Sequence, residues 1–273
     1  MIKRMVEGLS KRLTKSIEIT PTIELLSFRI VNAFLIGAKG SEDWVLIDTG
    51  LTHSYDFIIE RAEARYGLQP PKAILLTHGH FDHVGSLEEL SHHWPVPIYV
   101  HPRERDFITG EAEYPEADPT VSSGLIAKLS PYLTNGTVDV SYQAEDLPED
   151  GSVPHLPGWR WIHTPGHTLG HVCYYEEETG ILIAGDALTT TKQESLLSVI
   201  RQDEEVNGPP LYLTHDMDKA LISIEKIMRL EPKLVLPSHG KPIEGEDLLK
   251  HYDKLLRDPS NLKEQLEEEK TLR

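Results

Sequence analysis

Apolar residues in this chain gather in short runs separated by charged and turn-forming residues. Residues 23–30, 31–36 and 44–47 read as consecutive strands. Across 55–66 the apolar positions fall at helical spacing. Residues 72–76 predict a buried strand, 87–94 a helix and 97–100 a further strand. Strand character returns at 159–163, 172–176 and 181–184. Residues 216–230 then predict an amphipathic helix and 233–236 a short buried strand. Strands with interspersed helices imply α/β layers rather than a pure sandwich.

Two stretches break the pattern. Residues 102–155 are rich in Pro, Glu, Asp and Tyr and lose periodicity, which predicts a helical and loop insertion capping a cleft. Residues 187–213 form a second irregular stretch, and 244–273 a charged helical tail. The whole chain, 1–273, reads as a single domain.

Several apolar runs share a second property: each ends at a residue able to bind a metal. Ile74-Leu75-Leu76-Thr77 leads to His78, Trp161-Ile162 to the loop of His167, Ile183-Ala184-Gly185 to Asp186, and Leu236-Pro237-Ser238 to His239. Val45-Leu46-Ile47 leads in the same way to Asp48. Neighbouring strands deliver their ends to a common edge, so such residues can converge from distant points of the chain.

The densest point is Thr77-His78-Gly79-His80-Phe81-Asp82-His83-Val84-Gly85. His78 and His80, two apart, project to one side of an extended segment. Asp82 and His83 can both face inward at a strand-to-helix turn, and Gly79 permits a close backbone approach. Imidazole and carboxylate donors suit zinc, with iron or manganese as alternatives. The expectation is two divalent ions per chain: one on His78, His80 and His167, one on Asp82, His83 and His239, with Asp186 between them. Two such ions lower the pKa of a shared water from ~15.7 toward ~7.

Charge and composition narrow the partners. A net charge of −17 disfavours nucleic acid and is otherwise a solubility feature. No apolar run approaches the ~18 residues that span a bilayer, and the basic segment 1–13 lacks the apolar core of a secretory signal. The lone cysteine, Cys173, reads as a small buried hydrophobe. These features together predict a cytoplasmic protein with a small-molecule substrate and no membrane partner.

The pattern T-H-x-H-x-D-H-x-G at Thr77–Gly85, T-P-G-H-T-x-G-H at Thr164–His171, Gly185-Asp186, and Ser238-His239-Gly240 resembles the metallo-β-lactamase-fold superfamily, with Asp48-Thr49-Gly50 matching its early Asp motif. The resemblance covers residues ~20–245. It implies a four-layered αββα sandwich with the dinuclear site at one edge of two sheets and the same ligand assignment. It implies for Asp48 a supporting role, orienting a ligand, and a homodimer as the oligomer.

The segment around His167 looks like the glyoxalase II branch, but the Gly-Cys-Gly-Arg stretch typical there does not follow Asp186. Acyl-homoserine lactonases typically carry a tyrosine shortly after the bridging Asp; here Ala187-Leu188-Thr189 follows, and Tyr114 or Tyr212 is a candidate substitute. The expected activity is hydrolysis of an ester, thioester or lactone by a metal-bridging hydroxide, with Asp82 moving the proton. The alternatives are a mononuclear-iron persulfide dioxygenase and a phosphodiester hydrolase of the same fold.

Phe81 is expected to line the pocket or pack beneath it; Phe107, Tyr114 and Tyr132 are expected to pack in the core or at the surface, with substrate contact as the alternative, and for His53 an approach to the cleft is the minor alternative. His163 and His171 are expected only to hydrogen-bond locally. His92, His93, His101, His155, His215 and His251 read as surface histidines.

Overall fold

The computed structural model describes residues 14–120, 128, 138–191, 193, 206–244 and 247–251. Residues 1–13, Tyr132 and the end of the tail, 252–273, lie outside the described residues. The described residues fall into two compact units, one within 1–114 and 135–159, the other within 115–134 and 160–273.

The first unit is built on a seven-stranded sheet whose spatial order follows the sequence: β1 (Lys15–Thr20), β2 (Ile23–Ser27), β3 (Asn32–Ile36), β4 (Val45–Ile47), β5 (Ala73–Leu75), β6 (Ile98–Val100) and β7 (Ala144–Asp146). Strands β1 to β4 pair antiparallel. From β4 onward the pairing is parallel, Val45 opposite Ala73, Ile74 opposite Ile98, and Ile98 opposite Ala144. Parallel pairing needs crossovers, and α1 (Tyr55–Tyr66) and α2 (Leu87–His93) supply the first two.

Helix α1 begins and ends where the apolar spacing placed it, closing at Gly67 with φ 69°. Strand β2 is shorter than the apolar run, because the chain reverses between Phe28 and Val31, with Arg29 at φ 74° and Phe28 N–H donating to Val31 O. Strand β7 lies inside the stretch expected to be helix and loop. That stretch also holds a 3-10 turn (Pro102–Glu104) and the single-turn α3 (Arg105–Ile108).

Leu26, Leu35, Leu46 and Ile74 on one sheet face pack with Ile58 and Ala62 of α1 and Leu87 and Leu90 of α2. Trp44 stacks on Tyr66 at 4.4 Å between centroids and meets Trp94 edge-on at 5.5 Å, tying both helices to the sheet. Such ring pairs add about 0.5–1.5 kcal/mol each beyond their buried area. Arg65 of α1 is buried, donating to Pro21 O at 2.5 Å and Gly37 O at 3.2 Å, with Glu24 Oε2 3.4 Å away.

The second unit carries a five-stranded sheet in the order β12 (Ile243–Glu244), β11 (Leu234–Pro237), β10 (Ile181–Gly185), β9 (Val172–Glu176), β8 (Trp159–His163). Strands β10 and β11 run parallel, so both end at one edge, and β9 runs antiparallel to β10, so its start lies there too. Helix α4 (Met217–Met228) is capped by Asp216, which accepts from Lys219 N–H at 3.0 Å. Its Ile224, Ile227 and Met228 pack with Ile162, Cys173, Leu182 and Val235. Among the described residues no helix is long and apolar enough to cross a membrane.

Candidate metal centre

In the first unit the parallel strands present their C-terminal ends side by side. Asp48 follows β4, the segment Thr77–His83 follows β5, and Glu104 lies just past β6. Asp48 is buried and holds φ 58°, a left-handed backbone that Asp tolerates better than most side chains. Its carboxylate accepts from Thr77 N–H through Oδ1 and from Thr77 Oγ1–H through Oδ2, each at 2.8 Å. His83 Nδ1 also reaches Oδ2 at 2.8 Å.

These contacts decide the imidazole tautomers. His83 donates from Nδ1 to the Asp48 carboxylate, so its Nε2 keeps the lone pair, and that atom faces Asp82 Oδ1 at 3.8 Å. Thr77 gives its single hydroxyl proton to Asp48, so at 3.1 Å it accepts from His78 Nδ1. His78 therefore presents an Nε2 lone pair, and that atom lies 3.0 Å from His80 Nδ1. Two nitrogens on one zinc ion, each at ~2.0–2.1 Å, are roughly 3 Å apart, so this pair fits a shared cation.

The second unit repeats the logic with other partners. The loop after β8 carries His167, and the ends of β10 and β11 carry Asp186 and His239. Thr214 donates its hydroxyl proton to Pro210 O at 2.7 Å, so it accepts from His167 Nδ1 at 3.1 Å. The lone pair on His167 Nε2 then faces Asp186 Oδ2 at 3.2 Å. Two acceptors at that distance repel unless a cation, proton or metal, stands between them. His239 Nε2 addresses the same oxygen, also at 3.2 Å.

All seven expected ligands, His78, His80, Asp82, His83, His167, Asp186 and His239, are buried. The first unit brings His78 together with His80, and Asp82 with His83; the second gathers His167 and His239 around Asp186. Neutral imidazoles with outward lone pairs and buried carboxylates are the donor set of a divalent cation, and the residues present fit one.

Three participants were not distinguished by sequence. His171 accepts from Asp186 N–H through Nε2 at 2.9 Å, so its Nδ1 donates to Thr164 Oγ1 at 2.7 Å. It holds the backbone of Asp186 and has no nitrogen left for a metal. Its signal was its fixed place at the end of the Thr164–His171 motif. Thr214 and Glu104 carry no motif at all. His163 Nε2 donates to Leu169 O at 3.0 Å, a local bond as expected. His101 departs from expectation: it is buried, with Nδ1 accepting from Arg103 N–H at 3.1 Å, because the turn after β6 folds over it. Phe81 packs against the first unit's core, and Tyr212 lies in the second unit's turn Leu211–Leu213.

Known proteins resemble this chain in sequence and in fold. The sequence model described as the metallo-beta-lactamase superfamily matches residues 26–239. YflN of Bacillus subtilis, a probable metallo-hydrolase, is 45% identical over 224 residues, covering 81% of this chain and 85% of the relative. The crystal structure of TTHA1623 in a di-iron-bound form superposes with a TM-score of 0.52 at 26% identity, over 78% of this chain and 89% of the other. A B3 metallo-beta-lactamase with an active-site glutamic acid gives 0.64 over 98% and 96% of the two chains; at 18% identity it speaks for the fold alone.

Proposed function

The chain belongs to the metallo-beta-lactamase superfamily and is a metallo-hydrolase of its fold, and on that premise we propose that it holds two divalent ions and cleaves an ester, thioester or lactone. In this reading His78, His80 and His167 hold one ion, Asp82, His83 and His239 the other, and Asp186 is shared. The observation that carries it is Asp186 Oδ2, with His167 Nε2 and His239 Nε2 each 3.2 Å away. A carboxylate so placed would be shared by the two sets of donors. The di-iron form of TTHA1623 supports two ions and makes iron a candidate beside zinc and manganese.

When bound, two such ions supply an activated water nucleophile near neutral pH and polarise the substrate carbonyl. The chain's own groups do the rest. Asp48, Thr77 and Thr214 fix the tautomers of His83, His78 and His167 before any ion arrives. His171 holds the Asp186 backbone. Asp82, buried at the turn after β5, takes the proton of the attacking water and returns it to the departing oxygen or sulfur. The substrate is a small molecule, and the net charge of −17 argues against nucleic acid. A homodimer in the cytoplasm belongs to the same reading.

The test is elemental analysis of the untagged protein as purified, followed by an ester, thioester and lactone panel. Two zinc, manganese or iron ions per chain with turnover on one of these classes supports the proposal. A single iron with oxygen uptake on a persulfide replaces it with an oxidoreductase. No metal after reconstitution overturns it.

A further inference from the structure

We propose that Glu104 and Tyr114 are a positioning pair that sets the peptide between His78 and His80, and so the cation these two histidines hold; the inference rests on the metal reading above. Glu104 ends the 3-10 turn just past β6, and its carboxylate is buried. Tyr114 donates its phenolic hydrogen to Glu104 Oε2. The Gly79 N–H points at both, 3.0 Å from Tyr114 Oη and 3.2 Å from Glu104 Oε2. Gly79 is the residue between His78 and His80, so this clamp grips the backbone that joins two donors.

The Tyr114 ring completes the arrangement. One face stacks on Phe107 at 3.9 Å between centroids, with 10° between planes. His80 lies 4.4 Å from it, tilted by 58°. Tyr114 therefore touches the second histidine with its ring and the peptide before it with its oxygen. A Cβ on Gly79 would stand 2.8 Å from Tyr114 Oη, which explains why a residue without a side chain occupies that position.

Packing alone does not account for a buried glutamate there. A carboxylate out of water is costly, and an apolar side chain fills space at lower cost. Its position explains it: an acceptor oxygen on the peptide that joins two metal-donor histidines orients them.

The experiment uses the full chain stripped of metal and titrated with cobalt(II), read by its visible d–d absorption, with circular dichroism as the check on folding. Glu104→Gln and Tyr114→Phe are expected to weaken cobalt binding about 10–100-fold and to alter the visible band, while the circular dichroism stays as in the parent. Gly79→Ala is expected to weaken it too, and in the Gly79→Ala/Tyr114→Phe double variant the losses are smaller than their sum, because the oxygen the new methyl meets is gone. His80→Ala is the reference. If it loses cobalt while Glu104→Gln and Tyr114→Phe titrate like the parent with an unchanged band, the pair has no such role and the metal reading stands. If His80→Ala titrates like the parent, or the parent binds no cobalt, the metal reading fails and the pair falls with it. Should Glu104→Gln not fold, Tyr114→Phe, which removes a single oxygen, decides the matter.

Discussion

His83 Nδ1 and Asp48 Oδ2 stand 2.8 Å apart, both fully buried, in a carboxylate whose other contacts are the amide and hydroxyl of Thr77. Three donors converge on Asp48, the Thr77 amide, the Thr77 hydroxyl and His83 Nδ1. An asparagine there offers one oxygen and turns an NH2 group toward a donor. Asp48→Asn is therefore expected to lower metal affinity about 10–100-fold and stability by about 1–3 kcal/mol. A chelator competition and a urea midpoint measure the two separately. A variant matching the parent in both removes Asp48 from its supporting role.

Asp186→Ala takes away the oxygen that two imidazoles address. Turnover is expected to fall at least ~10³-fold, and metal content below that of the parent. Asp82→Asn, which keeps shape and removes both the proton acceptor and a ligand charge, is expected to lose ~10²–10⁴-fold in kcat even when measured with metal in excess, and to bind the second ion more weakly than the parent. A metal-loaded Asp186→Ala protein with parental turnover sinks the shared-ligand role.

Arg65 offers a control away from the centre. Its guanidinium is buried against Pro21 O, Gly37 O and Glu24, so Arg65→Ala leaves backbone acceptors and a carboxylate with fewer donors. The expected cost is about 3–5 kcal/mol, and Arg61, 2.8 Å from Glu24 Oε1, keeps it toward the lower end. Thermal or urea unfolding measures it; metal per folded chain should not change.

Cys173 gives a pH signature. Burial pushes its thiol from 9.0 up to about 12, although Thr164 beside it pulls the other way. A group held protonated in the folded state adds stability that is complete below its unfolded pKa and is lost as pH rises toward the folded one. The window is therefore about pH 9 to 12. Urea midpoints at about pH 8 and about pH 10.5 should fall further in the parent than in Cys173→Ala. Tyr66, also raised to about 12, acts in both proteins and cancels. The native thiol should also resist alkylation at neutral pH.

Much of this was legible beforehand where residues carry their own pattern. Strands β8 and β9 and helix α1 have the limits that their apolar spacing implied. The seven expected ligands stand out because His and Asp rarely crowd the ends of apolar runs, and all seven are buried. What escaped was short or polar. Strand β7 has three residues, of which only Ala144 is buried, and β1 is a partly exposed edge with two glutamate or lysine positions facing out. Neither makes an apolar run. Glu104 and Thr214 were hidden for a different reason: each meets its partner in the site through a hydrogen bond to a residue 25 or more positions away, and such a bond leaves no local trace; Tyr114 was named only as a candidate substrate contact or substitute tyrosine, and its bond to Gly79 was hidden in the same way. The fold and the donors are thus properties of segments, and the supports are properties of pairs.

The parallel pairing of β4 with β5 also governs when the donors become a site. His78, His80, Asp82 and His83 are neighbours in any conformation of the chain. Asp48 joins them only after a crossover of more than twenty residues has closed and β5 has docked beside β4. Non-local pairings of this kind are the slow steps of folding. The contact that fixes the His83 tautomer is therefore a late, non-local product of folding, while the side chains it serves are brought together by the sequence alone.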